Sequence, residues 1–362
     1  MHGAIAFSLQ RYKEKRGDRK ADFFTLNNLF MENLRTNKLN NYLFKYVNLL
    51  SYRHLAENIA EVMHLDITAA GLERAAIIEA KTLSVKNVAA IATTASQAAV
   101  TIAPACDIDL YAPIECGVNE EVNLFYDGIC VKKQCPFRKD NPLYTELLPT
   151  KEKLLKRVNT NVAVLQLPDN QFVKLTEGLP SKGNIGHTTI ELVEHMLKVH
   201  YPDTSLNTPL RLVAITDGAS NIRSDFNTTL SPSICIILDW YHLVKKVREL
   251  MSMIATNKTE KDIHVKWING RLWNGKTDDV LLYLQTISVK NKLFLDKLVT
   301  YLSKHALEII DYERRKKVGR TIGSGRGEKA NDQLIARRQK KKGLAWSDYG
   351  SKALAIIATV YA

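Results

Sequence analysis

The sequence predicts an α/β fold built on a mixed five-stranded sheet, with an all-helical insertion late in the chain and a helical region before the sheet. Between residues 121 and 244, short β-rich runs alternate with segments of helical periodicity, which is typical of α/β proteins. From 245 to 311 the periodicity is helical throughout. With 362 residues and 45% hydrophobic content, the chain is large enough for one such domain with an insertion.

A helical N-terminal region is predicted over residues 1–110. Residues 1–50 are basic and mixed, and a solvated tail is an alternative there. Ser51 is a suitable N-cap for the first of two short amphipathic helices over about 51–80, a pattern typical of a DNA-binding helix-turn-helix. Any small helical hairpin gives the same pattern. The alanine-rich segment 88–104 is expected to continue as a helical linker.

Three β-rich runs at short spacing predict an antiparallel meander at the start of the sheet. They are Val122–Tyr126, Ile129–Lys133 and Val162–Leu167, the last followed by a turn at Pro168-Asp169-Asn170. Between the first two runs stands Asp127-Gly128. This pair is also the strongest short signal for a hairpin, because it supplies the positive φ of a type I′ turn.

Two wholly apolar runs, Leu212–Ile215 and Ile234–Leu238, predict buried parallel strands, and a helix is expected before them at Thr188–His200. The resulting order, β-β-β-α-β-α-β-α, is that of the RNase H-like fold. In that order the connection rules bring the ends of the first and fourth strands side by side at the centre of the sheet.

The helical segments set the remaining boundaries. The core domain is predicted at 120–244 plus 312–345, and 245–311 is too long for a loop, so we interpret it as an insertion. A helix is expected from about Ser324 to Lys341, and a further apolar helix within 346–362.

The net charge limits the class of binding partner, and the cysteine content indicates the redox compartment. The chain carries 51 Lys and Arg against 38 Asp and Glu, a formal charge of +13, which favours a polyanion such as DNA or RNA. Basic ribosome-associated and membrane-surface proteins share this balance. The cysteines never form a C-x-x-C pair, so neither a structural zinc site nor a disulfide scaffold is expected. No apolar run reaches the ~18 residues of a membrane span, and a cytoplasmic protein, nucleoid-associated when bound to DNA, is predicted.

Three carboxylates are candidates for a metal-dependent site: Asp127 after the first strand, Asp217 after the fourth, and Glu328 on the last core helix. Phosphodiester cleavage at neutral pH needs an activated oxygen nucleophile and neutralisation of charge at phosphorus. Two Mg²⁺ ions about 3.5–4 Å apart supply both. Mg²⁺ takes hard oxygen ligands and keeps several waters, so two or three carboxylates from different elements suffice, and Mn²⁺ is an expected substitute.

Each candidate also has a structural alternative. Asp217-Gly218 is suited to ending a strand and capping the next helix, and Glu328 to a solvated face paired with basic neighbours. Asp332 lies on the same helical face as Glu328 and competes with it, while Asp225 and Asp239 compete with Asp217. The three predicted ligands support one another, because the topology brings all three to one place.

The glycine loop before Glu328 and the basic run after it predict contact with a nucleic-acid backbone. Gly323-Ser324-Gly325 allows phosphates a close approach, and Ser324 is a suitable cap for the following helix. The predicted DNA-contacting residues are Ser324, Arg326, Lys329, Arg337, Arg338, Lys340 and Lys341. The alternatives are an ordinary glycine-rich helix start and a solvated basic face.

The block Asp239-Trp240-Tyr241-His242 follows the last predicted strand. An Asp and a His at that position are placed to orient the Asp217 loop or to touch the scissile phosphate. The alternative is a helix-start histidine satisfied by a neighbour, with Trp240 and Tyr241 in the core. No zinc site follows from Asp239 and His242 alone, since no further His or Cys ligands lie nearby in the sequence.

Together these blocks resemble the DDE transposases of bacterial insertion sequences, in the broad Mutator-like group with RNase H-like catalytic domains. Asp239 and His242 match that group's motif of a Cys or Asp separated from a His by two residues, and the helical insertion before Glu328 also matches. The similarity covers about 120–362. Its blocks are Tyr-Asp-Gly at Asp127, Thr-Asp-Gly-Ala at Asp217, Leu-Asp-Trp-Tyr-His ending at His242, Ile-Gly-Ser-Gly-x-x-Glu at Glu328, and the trailing Arg-Arg-Gln-Lys and Trp-Ser.

The resemblance implies recognition of element ends, metal-dependent hydrolysis that exposes a 3′-hydroxyl, and attack of that hydroxyl on target DNA. It makes Asp127, Asp217 and Glu328 the holders of two Mg²⁺ ions. The implied partners are DNA, as terminal inverted repeats and target, and further copies of the chain in a homo-oligomer, with no membrane. Alternatives are a non-catalytic DNA-binding protein derived from a transposase and a structure-selective nuclease on the same fold. A basic RNA-binding protein is a further alternative, but it needs clustered aromatic platforms that the sequence does not display.

Overall fold

The centre of the computed structural model is a mixed five-stranded sheet, as predicted, so the α/β class is confirmed. The structure describes residues 11–13, 20–22, 37–113, 121–134, 157–180, 186–230, 234–341 and 343–361. Its strands are β1 (Arg11–Lys13), β2 (Lys20–Asp22), β3 (Val122–Lys132), β4 (Arg157–Gln166), β5 (Phe172–Thr176), β6 (Leu212–Thr216) and β7 (Cys235–Leu238). The order across the sheet is β5-β4-β3-β6-β7. β4 is antiparallel to both of its neighbours, whereas β6 is parallel to β3 and to β7.

Helices cover both faces of this sheet. In chain order they are α1 (Asn37–Val47), α2 (Tyr52–Met63), α3 (Ala69–Ala95), α4 (Thr189–His200), α5 (Ser220–Thr229), α6 (Trp240–Ile254), α7 (Lys258–Trp273), α8 (Thr277–Thr286), α9 (Lys292–Lys304), α10 (Tyr312–Lys317), α11 (Gly325–Asn331), α12 (Arg337–Gln339) and α13 (Asp348–Tyr361). One face packs on α4 and α5 through residues such as Val193 and Phe226. The other packs on α13 and the helices around it, in a core that also includes α1 to α3.

β3 is a single strand of 11 residues, so the prediction of two runs separated at Asp127-Gly128 was wrong. It pairs with β4 at every residue from Leu124 to Lys132, and Gly128 does not take a positive φ. The hairpin alternative for Asp127 is excluded by the same pairing. An Asp-Gly pair favours a turn when the chain is free to reverse, but here β4 supplies hydrogen-bond partners along the whole strand.

β3 extends beyond the end of its parallel neighbour β6. Their pairing stops at Phe125↔Ile215, so the part of β3 after Phe125 lies beside the loop that follows β6. Successive side chains alternate between faces, and Phe125 and Tyr126 accordingly belong to different core clusters. Asp127 therefore projects from the face of Phe125, next to the end of β6.

The N-terminal helices belong to the body of the protein. Ser51 caps α2 by accepting a hydrogen bond from the backbone N–H of His54 at 3.1 Å, as predicted. α3 is 27 residues long and packs against α4 and α13. The predicted helical linker over 88–104 is confirmed only as far as Ala95, where α3 ends, and the rest of that segment is not helical. The helix-turn-helix over 51–80 stays a prediction as a DNA-binding element. Its second helix, α3, is much longer than the short hairpin expected. The β1–β2 pair lies within the region predicted to be helical, so that part of the prediction was wrong.

The helical content predicted for residues 245–311 is present, since they carry α7, α8, α9 and most of α6. That these helices are an insertion in the core domain stays a prediction. Its predicted start at 245 lies inside α6, because that helix begins directly after its N-cap, Asp239. None of the described helices is both long enough and apolar enough to cross a membrane.

The predicted helix after the glycine loop is present but not uniform. α11 and α12 are joined by a π-helical turn, Asp332–Ala336, and the helix ends at Gln339 rather than at Lys341. Its end is fixed by buried polar contacts. Gln339 exchanges hydrogen bonds with Ser351 of α13, and its carbonyl accepts from Trp346 Nε1 at 3.0 Å. Trp346 in turn pairs with the end of β3, so the Trp-Ser block anchors α13 to the sheet.

A buried ion pair joins α10 to the start of β3. Arg315 is fully buried and makes a bidentate contact with the carboxylate of Glu121. Its remaining donors bond the carbonyls of Leu110 and Thr321, and Arg320 adds a second cation 3.1 Å from Glu121. The pair therefore holds the start of the central strand against the segment that returns from the insertion.

Replacing Arg315 with Ala is expected to lower the free energy of unfolding by about 3–5 kcal/mol, because it leaves the Glu121 carboxylate buried with only Arg320 as a charged partner. Urea denaturation followed by circular dichroism measures this. The control is Lys317→Ala on the same helix, which breaks the exposed Lys317–Glu313 pair and should leave the midpoint unchanged. Equal losses in the two variants would contradict a structural role for the buried pair.

Candidate active site

The predicted carboxylates Asp127, Asp217 and Glu328 lie in one electrostatic cluster at the ends of the two central strands. The pKa of Asp127 is raised to about 6, mainly by burial and also by the negative charges of Asp217 and Glu328. The Gly128 N–H and the charge of His242 act in the opposite direction. A carboxylate senses like charges in this way only when they are close, so the three side chains that are far apart in sequence form one site.

Asp217 directly follows β6 at a sharp turn. Its Oδ1 accepts a hydrogen bond from the backbone N–H of Ala219 at 2.9 Å, and Gly218 adopts a φ of +82° that only glycine takes without strain. Ala219, not Asp217, occupies the N-cap position of α5. The capping alternative for Asp217 is therefore excluded, and its carboxylate instead organises the loop beside Asp127.

Glu328 is exposed in the first turn of α11 and faces Asp127 across a cleft. The competing acid Asp332 is also exposed and lines the same cleft, so both acids stand beside Asp127. Of the two, only Glu328 is among the charges that raise the pKa of Asp127. Glu328 therefore remains our candidate ligand.

Asn331 is a site residue that sequence reasoning missed. Its Nδ2 donates a 2.7 Å hydrogen bond to Asp127 Oδ2, and its own Oδ1 is buried without a hydrogen-bond partner. It lies three positions after Glu328 on the same helical face, which was the one available signal. Asn331 therefore fixes the orientation of the Asp127 carboxylate.

The other competing acids have separate roles. Asp225 accepts a 3.0 Å hydrogen bond from the hydroxyl of Tyr126, whose side chain lies on the opposite face of the sheet from Asp127. Asp239 is 1% exposed and caps α6 by accepting from the backbone N–H of His242 at 2.7 Å. Neither acid competes with Asp217 for a position beside Asp127.

Asp239 and His242 connect the end of β7 to Glu328. Burial raises the pKa of Asp239, but hydrogen bonds from His242 and from the Ser324 N–H outweigh it, so the net shift is downward. His242 Nδ1 lies 3.3 Å from Asp239 Oδ1 and 3.9 Å from Glu328 Oε1. The adjacent carboxylate of Asp239 raises the pKa of His242 against the opposing effect of burial, and the charges of Glu328 and Asp217 add to the rise. The carboxylates around His242 thus favour the protonated form of its imidazole.

The glycine loop packs on the start of α6. A Cβ on Gly323 would lie 2.8 Å from ring atoms of Tyr241 and 3.3 Å from Asp239 Oδ2, so no side chain fits there. The prediction that the Ser324 side chain caps the helix was wrong, because it makes no capping hydrogen bond. Its backbone N–H instead donates to Asp239, and the residue is 6% exposed, which leaves it little surface for a DNA contact.

The predicted basic track divides into exposed and buried members. Exposed members are Arg326, Lys329, Arg337, Lys340 and Lys341. The guanidinium of Arg326 lies 3.9 Å from the ring centroid of Phe172, and Lys340 lines the cleft with Asp127 and Glu328. These five residues are positioned to contact a polyanion.

Arg338 is the exception to the predicted basic track. It is 4% exposed, its Nε donates to the carbonyl of Val47 at 3.3 Å, and its guanidinium lies over the rings of Trp346 and Tyr52. It therefore joins α12 to the N-terminal helices. As a DNA-contacting residue it does not fit this structure, because its charge is enclosed by protein.

Lys246 is a cation near the site that sequence reasoning also missed. It is exposed on α6, one turn after His242, with its Nζ 6.0 Å from the ring centroid of Tyr301. Burial raises the pKa of Tyr301, and the charge of Asp217 raises it further, which places this ring near the carboxylates. The spacing of four from His242 was the signal that placed Lys246 on the same helical face.

The donor chemistry of the site fits hard divalent cations. Among the described residues, no three His, Cys, Asp or Glu side chains lie close enough to enclose a metal ion as they stand. Mg²⁺ does not need such an enclosure, since it keeps several waters and takes one or two carboxylates. The mutual repulsion that raises the pKa of Asp127 is also the kind of interaction that a bound cation relieves.

Comparison with known proteins adds no family. No protein-family model matches the chain, and no curated protein matches it. The function has to be judged from the geometry of the site itself.

We expect Asp127→Asn to stabilise the metal-free protein above pH 6. The pKa of Asp127 rises from 3.8 to about 6 on folding, so the folded state holds this proton more tightly than the unfolded state. Stability falls as the pH rises from about 4 to about 6, by roughly 3 kcal/mol in total. Asparagine removes that cost, and a flip of the Asn331 amide lets its unpartnered Oδ1 accept from the new side chain.

Thermal unfolding of wild type and variant between pH 4 and pH 8 checks this expectation. The gain should be largest above pH 6 and disappear near pH 4. Asp225→Asn is the matched control, since it removes a carboxylate on the other face and keeps an acceptor for Tyr126. An Asp127→Asn protein that is no more stable than wild type at pH 7.5 would show that folding does not raise the pKa of Asp127.

Proposed function

We propose that this protein is a DDE transposase with an RNase H-like core, which cuts DNA at the ends of a mobile element and joins the exposed 3′-hydroxyl to target DNA. The observation that carries the proposal is the juxtaposition of Asp127 and Asp217 at the central pair of parallel strands, with Glu328 across the cleft. The strand order β5-β4-β3-β6-β7, with only β4 antiparallel to its neighbours, agrees with the order expected of an RNase H-like sheet.

The chemistry requires charge neutralisation around the scissile phosphate. Held by Asp127, Asp217 and Glu328, two Mg²⁺ or Mn²⁺ ions would activate the attacking oxygen and stabilise the leaving oxygen. Asn331 holds the Asp127 carboxylate in one orientation through its 2.7 Å hydrogen bond. His242, whose pKa is raised by Asp239 and its acidic neighbours, is suited to donate a hydrogen bond to a non-bridging phosphate oxygen.

The exposed cations supply the track for DNA. Lys340 stands in the cleft beside the carboxylates, and Lys246 stands on the neighbouring helix. Arg326, Lys329, Arg337 and Lys341 extend the positive surface along α11 and α12. With a net charge of +13, binding is expected to weaken steeply with salt, as counterion release from phosphates requires. Terminal inverted repeats and target DNA are the proposed partners, with two or more copies of the chain acting on paired ends.

Cleavage of DNA carrying the inverted repeats that flank the coding gene is the direct test. Wild type is expected to cut at the repeat ends in Mg²⁺ or Mn²⁺, with scrambled repeats as the substrate control. Asp217→Asn should reduce the cleavage rate by on the order of 10³-fold, because it removes a proposed ligand of the metal ions that would neutralise charge in the transition state. Asp225→Asn is the matched variant and should cut normally, since that carboxylate faces Tyr126.

The pattern of cutting separates the competing functions. Cleavage of branched DNA regardless of the repeat sequence would point to a structure-selective nuclease instead. Tight binding to the repeats without cutting by wild type in either metal would indicate a non-catalytic DNA-binding protein.

Metal binding is expected to be visible without DNA. Mn²⁺ at 100 times its dissociation constant should stabilise the folded protein by about 2.7 kcal/mol, because only the folded chain assembles the carboxylates. The melting temperature of wild type and of Asp225→Asn should therefore rise with Mn²⁺. That of Asp217→Asn should not, and a similar rise in all three proteins would place the bound metal elsewhere.

A further inference from the structure

A cluster of two buried side chains, His305 and Glu308, and the partly exposed Arg223 lies against the Asp217 loop. His305 is 1% and Glu308 8% exposed. The Nδ1 of His305 is hydrogen-bonded to Glu308, and Arg223 Nη2 contacts the other carboxylate oxygen of Glu308. Arg223 Nη2 is also 3.2 Å from His305 Nδ1. The proposed chemistry uses none of these three side chains, although burying His305 and Glu308 is costly.

The imidazole of His305 packs directly on Gly218. A Cβ at Gly218 would lie 2.7 Å from His305 Cε1 and 2.8 Å from Leu238 Cδ1, so the loop and the ring are in full contact. The turn at Gly218 determines where the preceding Asp217 carboxylate lies. His305 therefore packs against the Asp217 loop and limits the positions that the loop can take.

Arg223 secures the other end of the same loop. It belongs to α5, which starts three residues after Asp217. Its contact with Glu308 ties the first turn of that helix to the end of the insertion. β6 therefore fixes the start of the loop, and Arg223 fixes its end through α5. His305 packs against Gly218 between them.

The same segment also holds the Asp239 side of the site. The carbonyl of Glu308 accepts a 3.0 Å hydrogen bond from the N–H of Leu238, the residue before Asp239. The N–H of Asp239 donates to the carbonyl of Thr216, just before Asp217, at 2.8 Å. One short segment at the end of the helical insertion therefore supports both loops that bear acidic site residues.

We infer that His305, Glu308 and Arg223 form a positioning cluster that holds the Asp217 carboxylate opposite Asp127, so that the helical insertion takes part in catalysis through its C-terminal end. The inference rests on the proposed function. Hydrogen bonds have direction, and the two that the Glu308 carboxylate accepts, from His305 Nδ1 and from Arg223 Nη2, restrict the arrangement of the loop. An error of about 1 Å in the position of a catalytic group can cost about 10²-fold in rate.

A matched control is available in the same insertion. His264 is also buried, lies 3.5 Å from Glu260 one turn earlier, and is within 2.7 Å of the Tyr283 hydroxyl. Its partners are all within the insertion and none belongs to the Asp217 loop. A purely structural role for His305 predicts that the two histidines respond alike to substitution.

The experiment compares His305→Ala, His305→Asn and His264→Ala in the full chain. Four properties are measured: the DNA cleavage rate at saturating DNA, DNA affinity, Mn²⁺ affinity by loss of the free Mn²⁺ signal in electron paramagnetic resonance, and melting temperature. His305→Ala is expected to slow cleavage about 10²-fold and weaken Mn²⁺ binding about tenfold, with DNA affinity within about twofold of wild type. His305→Asn should recover most of both losses, because its amide Nδ2 replaces Nδ1 as a donor to Glu308.

The outcomes separate this inference from the proposed function. His264→Ala should lose melting temperature as His305→Ala does, yet keep its cleavage rate and Mn²⁺ affinity. Equal cleavage and Mn²⁺ binding in the two alanine variants would overturn the positioning role and leave the transposase proposal intact. If wild type binds Mn²⁺ but cuts no DNA, the proposed function fails, while a selective loss of Mn²⁺ affinity in His305→Ala still supports the positioning role. A wild type that neither binds Mn²⁺ nor cuts DNA would overturn both.

Discussion

The structure depends on the unequal lengths over which β3 pairs with its two neighbours. Pairing with the parallel strand β6 stops at Phe125, whereas pairing with β4 continues to Lys132. The unmatched part of β3 is held rigidly by β4 while its other edge is open to the loop after β6. Asp127 lies in this part and Asp217 in that loop. Backbone hydrogen bonding, rather than contacts between the acids, therefore brings two like charges together.

In that arrangement Asp127 and Asp217 repel each other, and neighbouring groups reduce the free-energy cost of the repulsion. Burial and the charges of Asp217 and Glu328 raise the pKa of Asp127, while the Gly128 N–H and the charge of His242 lower it. Asn331 adds a further donor. Functional sites commonly keep such perturbed groups where a ligand completes the balance. His305, at the end of the helical insertion, also affects this site, because it packs against Gly218 in the loop of Asp217.

The success of sequence-based prediction depended on how many interpretations each pattern allowed. The short, wholly apolar and β-branched runs of β6 and β7 favour buried strands, and both predictions were correct to within one residue at each end. Asp127-Gly128 suits both a turn and an extended strand, and the partner strand decided between them. In the basic run, Arg337 is exposed while Arg338 is enclosed by Tyr52 and Trp346. Adjacent arginines differ in this way only because distant helices cover one of them.

The sequence by itself determined the class of fold, the two buried parallel strands β6 and β7, the helical segment 245–311, and the candidate acids Asp127, Asp217 and Glu328. These follow from local periodicity, apolar runs and short motifs, which are properties of neighbouring residues. Tertiary structure alone decided which cations remain exposed, that Asn331 orients Asp127, and that His305 supports Gly218. Those relations join residues about 90 to 200 positions apart. They depend on how separate elements pack, and local sequence carries no record of that packing.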